Sequence, residues 1–207
     1  MYDSIITVKV GEEEKEFHMH RRLLAHYSGY IKRALRNGFE ESEEGVIRLK
    51  TGFIQVFEAF HSWLYTRGIP DGLLKRKTLV RVWIFGDARC IPALQDFALN
   101  RLLDVCISFW SYPLADMVMS VYEQTREDSP LRKLFVDNTT HSCDLPDYFK
   151  PGGSHYTEHL PESVRDVAVN NFEHYNATGR SAVSVKDKWE YIDTCQYHMH
   201  KQNKAKP

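Results

Sequence analysis

The sequence predicts an α+β fold in which a small sheet is covered by helices, and three observations carry that expectation. Period-two alternation of apolar residues occupies the early part of the chain, helical periodicity fills the remainder, and no βαβαβ rhythm joins them. Hydrophobic residues make up 43% of the 207 positions and aromatics 13%, more of both than a disordered chain carries, so a buried core is expected.

In "SIITVKVG" Ile6, Val8 and Val10 alternate with Thr7 and Lys9, the pattern of a half-buried strand that Gly11 ends. The stretch "EEEK" turns the chain, and "EFHMH" resumes the alternation with Phe17 and Met19 on one face and His18 and His20 on the other, completing a β-hairpin. Leu23, Leu24 and Tyr27 follow at helical spacing. Ser28 is placed to cap a second short helix that turns Ile31, Ala34 and Leu35 inward and stops at Gly38. After the acidic turn "EESEEG", "VIRL" reads as a third strand with Ile47 and Leu49 facing alike.

A long amphipathic helix comes next, with Phe53, Val56, Phe57, Phe60 and Leu64 on one stripe and an end at Gly68. At about 1.5–3 kcal/mol for each large apolar side chain buried, that stripe makes this helix the centre of the core. "KTLVRVWIFGDARC" predicts a helix burying Leu79, Val80, Trp83 and Ile84. Pro92 opens the following one, which carries Leu94, Phe97, Ala98 and Leu102. Tyr112-Pro113 opens a helix with Leu114, Met117, Val118 and Val121, and Ser129-Pro130 another with Leu131, Leu134 and Phe135. A loop rich in Pro, Gly and polar residues is expected over about 141–161, followed by a helix with Val164, Val167, Ala168 and Phe172 and by a frayed tail, "KQNKAKP".

With 27 basic against 28 acidic residues the net charge is -1, so no general field attracts phosphate backbones or anionic lipid, which argues against nucleic-acid partners. No apolar run approaches the ~20 residues that cross a bilayer, and "MYDSIITVKVG" has neither the basic nor the apolar region of an export signal. The expected location is cytoplasmic, nuclear or both. Cys90, Cys106, Cys143 and Cys195 stand far apart without a CxxC pair, as reduced thiols would, and Asn138 and Asn176 match glycosylation sequons by chance.

The segment "FHMHRRLLAHYSGYIKRAL" raises the question of metal. On a strand His18 and His20 point the same way, ~7 Å apart at ~3.3 Å per residue, and His26 follows on a helix. No nearby Asp, Glu or Cys completes a spacing such as HExxH, so structural or surface histidines are the favoured reading and no metal or cofactor is assigned. Cys195, His198 and His200 in "CQYHMH", and the weaker His141 and Cys143, are treated the same way. A metal-dependent enzyme is the remote alternative. With no GxSxG, glycine-rich phosphate loop or paired-carboxylate setting, catalysis is not expected.

The ordered series "ITVKVG", "FHMHRRLLAHYSGYIKRAL", "GFEESEEGVIRL", "VFEAFHSWLYTRGI" and "LVRVWIFGDARCIPALQDFALNRL" resembles a BTB/POZ domain over about residues 4–104, in the style of stand-alone fungal members. "MVMSVYEQTREDSPLRKLFVD" extends the resemblance more weakly to about 137. The resemblance implies the elongin-C-like BTB/POZ fold for residues 1–104, with a helical extension over 105–207, and protein–protein interaction in place of catalysis. It also makes His20 part of the strand-to-helix signature of the fold.

BTB adaptors of cullin-3 carry a hydrophobic-X-Glu pattern between the second helix and third strand, and Phe39, Glu40 and Glu41 match it there. An exposed Phe can fill a partner pocket, and a carboxylate can accept hydrogen bonds from the N–H groups that open a helix. The expected partners are therefore proteins, a cullin-3 type ubiquitin-ligase scaffold first among them, with a self-associating or regulatory BTB scaffold as the alternative. The first strand begins close to Met1, without the extension that dimeric animal BTB domains exchange, so a monomer or a non-swapped oligomer is expected. No MATH, Kelch or zinc-finger pattern is present, so contact with a recruited target falls to residues 108–200, through helix faces or the loop around Tyr148 and Phe149.

Overall fold

A computed structural model describes residues 4–34, 45–50, 52–109, 115–142, 161–179 and 194–199. The chain divides into two compact units, Met1–Ala98 and Leu99–Pro207.

The first unit is built on a three-stranded sheet. Strand β1 (Ile5–Val10) lies in the middle, antiparallel to β2 (Lys15–His20) and parallel to β3 (Val46–Leu49), in the order β2-β1-β3. Val8 stands opposite Phe17 on one side and Ile47 on the other. The alternation read from the sequence sets the two faces: Ile6, Val8, Val10, Phe17, Met19 and Ile47 are buried, while His18 and His20 face outward with the exposed Ile5.

Helices α1 (Arg21–Tyr27) and α2 (Gly29–Ala34) follow, joined at the buried Ser28, whose hydroxyl accepts the N–H of Ile31 at 3.1 Å as expected of the cap. Leu35 and Gly38 lie outside the described residues. Helix α3 (Ile54–Thr66) buries Val56, Phe57, Ala59, Phe60, Trp63 and Leu64. It also runs along the outer edge of β2: Glu58 pairs with Lys15, the Phe57 and Phe17 rings lie 4.7 Å apart, and the Tyr65 hydroxyl accepts the His20 N–H at 3.1 Å. The helix thus satisfies one backbone donor of this edge strand, at His20. Helix α4 (Arg76–Ala88) packs against α3, and α5 (Pro92–Phe109) starts at its proline and runs through the division between the units.

Three residues in the first unit depart from the helical reading. Phe53 is 58% exposed because it occupies the extended position before α3, where helical phase does not yet apply; the Arg81 guanidinium sits 4.1 Å from its ring. Ile84 is only half-buried, whereas Leu79, Val80 and Trp83 are buried as expected and are joined by Val82 and Gly86. Helix α3 ends at Thr66, and the residue that caps it is Arg67 in place of the expected Gly68: its φ of 59° is left-handed and its N–H closes on the Trp63 carbonyl. The guanidinium of Arg67 lies 4.0 Å from the Tyr27 ring and 4.8 Å from that of Trp63, contacts that offset the backbone cost.

The second unit holds the rest of α5, then α6 (Ala115–Gln124), α7 (Pro130–Ser142), α8 (Pro161–Thr178) and a 3-10 turn (Thr194–Tyr197). Met117, Val121, Leu131, Leu134 and Phe135 are buried as expected. Residues 141–142 close α7 and residue 161 opens α8, so helix takes both ends of the expected loop; residues 143–160, with Tyr148 and Phe149, and the tail from 200 lie outside the described residues. On α8 Val167 is buried, but Ala168 is exposed and Phe172 is 63% exposed. The covered face passes instead through Ser163, Val167 and Asn170, because α7 receives this helix with polar groups: Asn170 donates to Asp137 at 3.0 Å and to Thr140 at 3.1 Å.

Candidate functional site

Phe39, Glu40 and Glu41, the partner-binding residues expected from the sequence, lie outside the described residues. The elements on either side of the segment that carries them, α2 before it and β3 after it, are anchored in the first unit. At its first residues α2 is tied to the corner between α4 and α5. The Ser28 hydroxyl donates to the Arg89 carbonyl at 2.8 Å, and the N–H groups of Gly29 and Tyr30 donate to the carbonyls of Cys90 and Arg89 at 3.2 and 3.4 Å. The fit is close enough that a Cβ on Gly29 would stand 3.3 Å from that of Cys90. At the β3 end Gly45, with a φ of +66° that glycine adopts without strain, offers its carbonyl to the Thr7 N–H at 2.9 Å.

Beside the α2 end the surface is aromatic and basic. Tyr30 is 41% exposed with the Arg89 guanidinium 5.0 Å from its ring, and the Arg33 guanidinium reaches the Cys90 sulfur at 3.7 Å. Lys32 and Arg33 also place positive charge on the last turn of α2, where the helix dipole favours it. Such groups recognise a partner by ring contact and by donating hydrogen bonds to carboxylates or carbonyls.

The histidines are held separately. His18 Nδ1 contacts the Thr7 hydroxyl at 3.2 Å, His20 Nδ1 the Tyr65 hydroxyl at 3.0 Å, and the His26 ring meets Tyr27 edge-on at 4.6 Å. His61, which the sequence did not single out, packs between Phe17 and Tyr65, and burial holds its pKa below the ordinary histidine value. His198 bonds Asn100 at 2.8 Å; His200 and Cys143 lie outside the described residues. Among the described residues no group of three or more His, Cys, Asp or Glu side chains converges as metal ligands would.

A polar network in the second unit also escaped the sequence reading. Tyr197 is fully buried and donates its hydroxyl to Asp137 at 2.7 Å. Burial pushes the Asp137 carboxyl above the ordinary carboxylate range against the opposing pull of that hydrogen bond, and burial with the neighbouring carboxylate pushes the Tyr197 hydroxyl up as well. The pairing spans 60 positions of sequence, and no periodicity marks a tyrosine in a short polar segment as a core residue.

No helix among the described residues is long and apolar enough to cross a membrane. No curated protein matches the chain in sequence. The family model of the BTB/POZ domain matches residues 3–110, just over half of the 207 positions and the whole stretch that holds the sheet and α1 to α5. The chain belongs to the BTB/POZ domain family, and its matched half is a protein–protein interaction module.

Proposed function

We propose that this chain is an adaptor that brings a cullin-3 type ubiquitin-ligase scaffold to a second protein. In this reading residues 1–104 are the BTB/POZ domain and residues 105–207 a helical extension that meets the recruited protein. The observation that carries the proposal is the hydrophobic-X-Glu pattern Phe39-Glu40-Glu41, which stands between the second helix and third strand of a chain of this family. Phe39 supplies the apolar anchor, and Glu40 and Glu41 supply acceptors for N–H groups at the start of a partner helix. The test is binding of a cullin-3 N-terminal fragment to the wild type and to Phe39→Asp. Selective loss in a folded variant is the expected result, and a wild type that does not bind ends the proposal.

A self-associating scaffold is the second reading, favoured by the large apolar side chains Ile5 and Phe53, which are 63% and 58% exposed on the first unit. Light scattering separates the two, because an adaptor that stays monomeric across concentration leaves the scaffold reading without its contact.

A further inference from the structure

Helix α8 covers a mixed face, Ser163, Val167 and Asn170, and leaves apolar side chains in solvent. Val169, Phe172 and Tyr175 are 49%, 63% and 53% exposed, and their spacing of three places them along one side of the helix, continuous with Ala168. An exposed stripe holding two aromatic rings is unusual on a helix whose other face is already packed. Val169 is also the lip of a groove of about 460 Å3 between α7, α8 and the turn before α7.

The charges along that groove decide what the stripe can receive. Acidic residues outnumber basic ones in its lining, and its three cations are each held by a group of the same unit: Arg132 donates to the Tyr122 carbonyl at 2.6 Å, Lys133 to Gln196 at 3.1 Å, and Arg165 lies 3.6 Å from Asp166. Glu127, Glu162 and Glu173 line the groove as well, are exposed, and have no ion-pair partner among the described residues. An apolar stripe bordered by an excess of carboxylates disfavours anionic lipid and acidic chains and complements a cationic one.

We infer that the exposed face of α8 and the adjoining groove form a docking surface for a partner polypeptide segment in which lysine or arginine side chains flank apolar ones. The apolar side chains cover Phe172 and Val169, and the cations meet Glu162 and Glu173. This surface lies outside the matched BTB/POZ region and does not depend on whether cullin is bound.

The experiment measures fluorescence anisotropy of a labelled synthetic amphipathic lysine–leucine peptide titrated with the full chain, beside the same peptide with glutamate in place of lysine. Saturable binding of the lysine peptide alone is expected, weakened on the order of tenfold by Phe172→Ser and by the Glu162→Lys/Glu173→Lys pair, as for a side chain central to an interface. Absence of binding, equal binding of the glutamate peptide, or binding unchanged by both variants overturns the proposal. Two further measurements test other occupants of the face. A thermal midpoint that falls several degrees in Phe172→Ser would mean that this chain already covers the ring, and a dimer in the wild type that Phe172→Ser abolishes would mean that a second copy does; either result overturns the proposal.

Discussion

Ser28 is a small residue with several tasks. Its hydroxyl accepts from Ile31 and donates to Arg89, and its own N–H closes α1 on Leu24, so one side chain joins two helices to the corner between α4 and α5. Ser28→Ala leaves the Ile31 N–H and the Arg89 carbonyl without that partner in a buried setting, and we expect a loss of about 1–2 kcal/mol in urea unfolding. Asp137 gives a pH signature of the opposite kind from a surface carboxylate. Because its folded pKa is raised, the native state holds the proton more tightly than the unfolded chain, and the resulting stability is complete below the ordinary carboxylate pKa and lost as pH rises through the folded value. Asp137→Asn removes that loss. The unfolding free energy of Asp137→Asn minus that of the wild type should therefore increase as pH is raised from the ordinary carboxylate range upward, measured by denaturant titration across a pH series; a flat difference contradicts the assignment.

Among the elements, α3 shows how far periodicity reaches. The sequence placed Val56, Phe57, Phe60 and Leu64 on the buried stripe, and they are there; Phe53 fits the same period but precedes the first helical residue, and the pattern of side chains alone does not mark that boundary. Phe60→Ala, which removes a ring packed among Phe57, Trp63 and Phe85, should cost about 3–5 kcal/mol, whereas Phe53→Ala should cost less than about 1 kcal/mol. Thermal or denaturant unfolding of the pair checks the phase of the helix directly. The C-terminal end of α6 was less legible. Arg132 reaches back from α7 to the carbonyls of Tyr122 and Thr125 and to the Thr125 hydroxyl, satisfying groups that a helix end leaves open. A buried guanidinium in this role looks like any other arginine in the sequence, since its partners are carbonyls that every residue carries. Arg132→Ala should destabilise the second unit by about 2–3 kcal/mol, with the amides of α6 losing protection first in hydrogen exchange.

Across the molecule, what the sequence revealed tracks how local the determining contacts are. The hairpin, the Ser28 cap and the apolar stripes within 4–104 rest on residues close together in sequence, and the order of these elements was enough to identify the family. The second unit depends on distant polar pairs, Tyr197 with Asp137 and Asn170 with Thr140, so of the residues the sequence marked on its last helix Val167 is buried while Ala168 and Phe172 are exposed. The partner residues Phe39, Glu40 and Glu41 were read from their motif alone, and only the elements that flank their segment belong to the described structure. Since each unit has its own core, Tyr197→Phe should speed hydrogen exchange in α7 and α8 while leaving the amides of β1 nearly unchanged; equal acceleration in both would mean that the chain opens as one cooperative body.

The central position of β1 also sets an order of events during synthesis. Its hairpin with β2 needs only neighbouring residues and can close in about 1–10 µs, whereas its parallel partner β3 emerges from the ribosome after both short helices have been made. Until then one side of β1 waits without a strand. In pulse-labelling of refolding protein, the Arg21 amide, which closes the hairpin on Ser4, should therefore gain protection before the Thr7 and Gly11 amides, whose acceptors are Gly45 and Leu49.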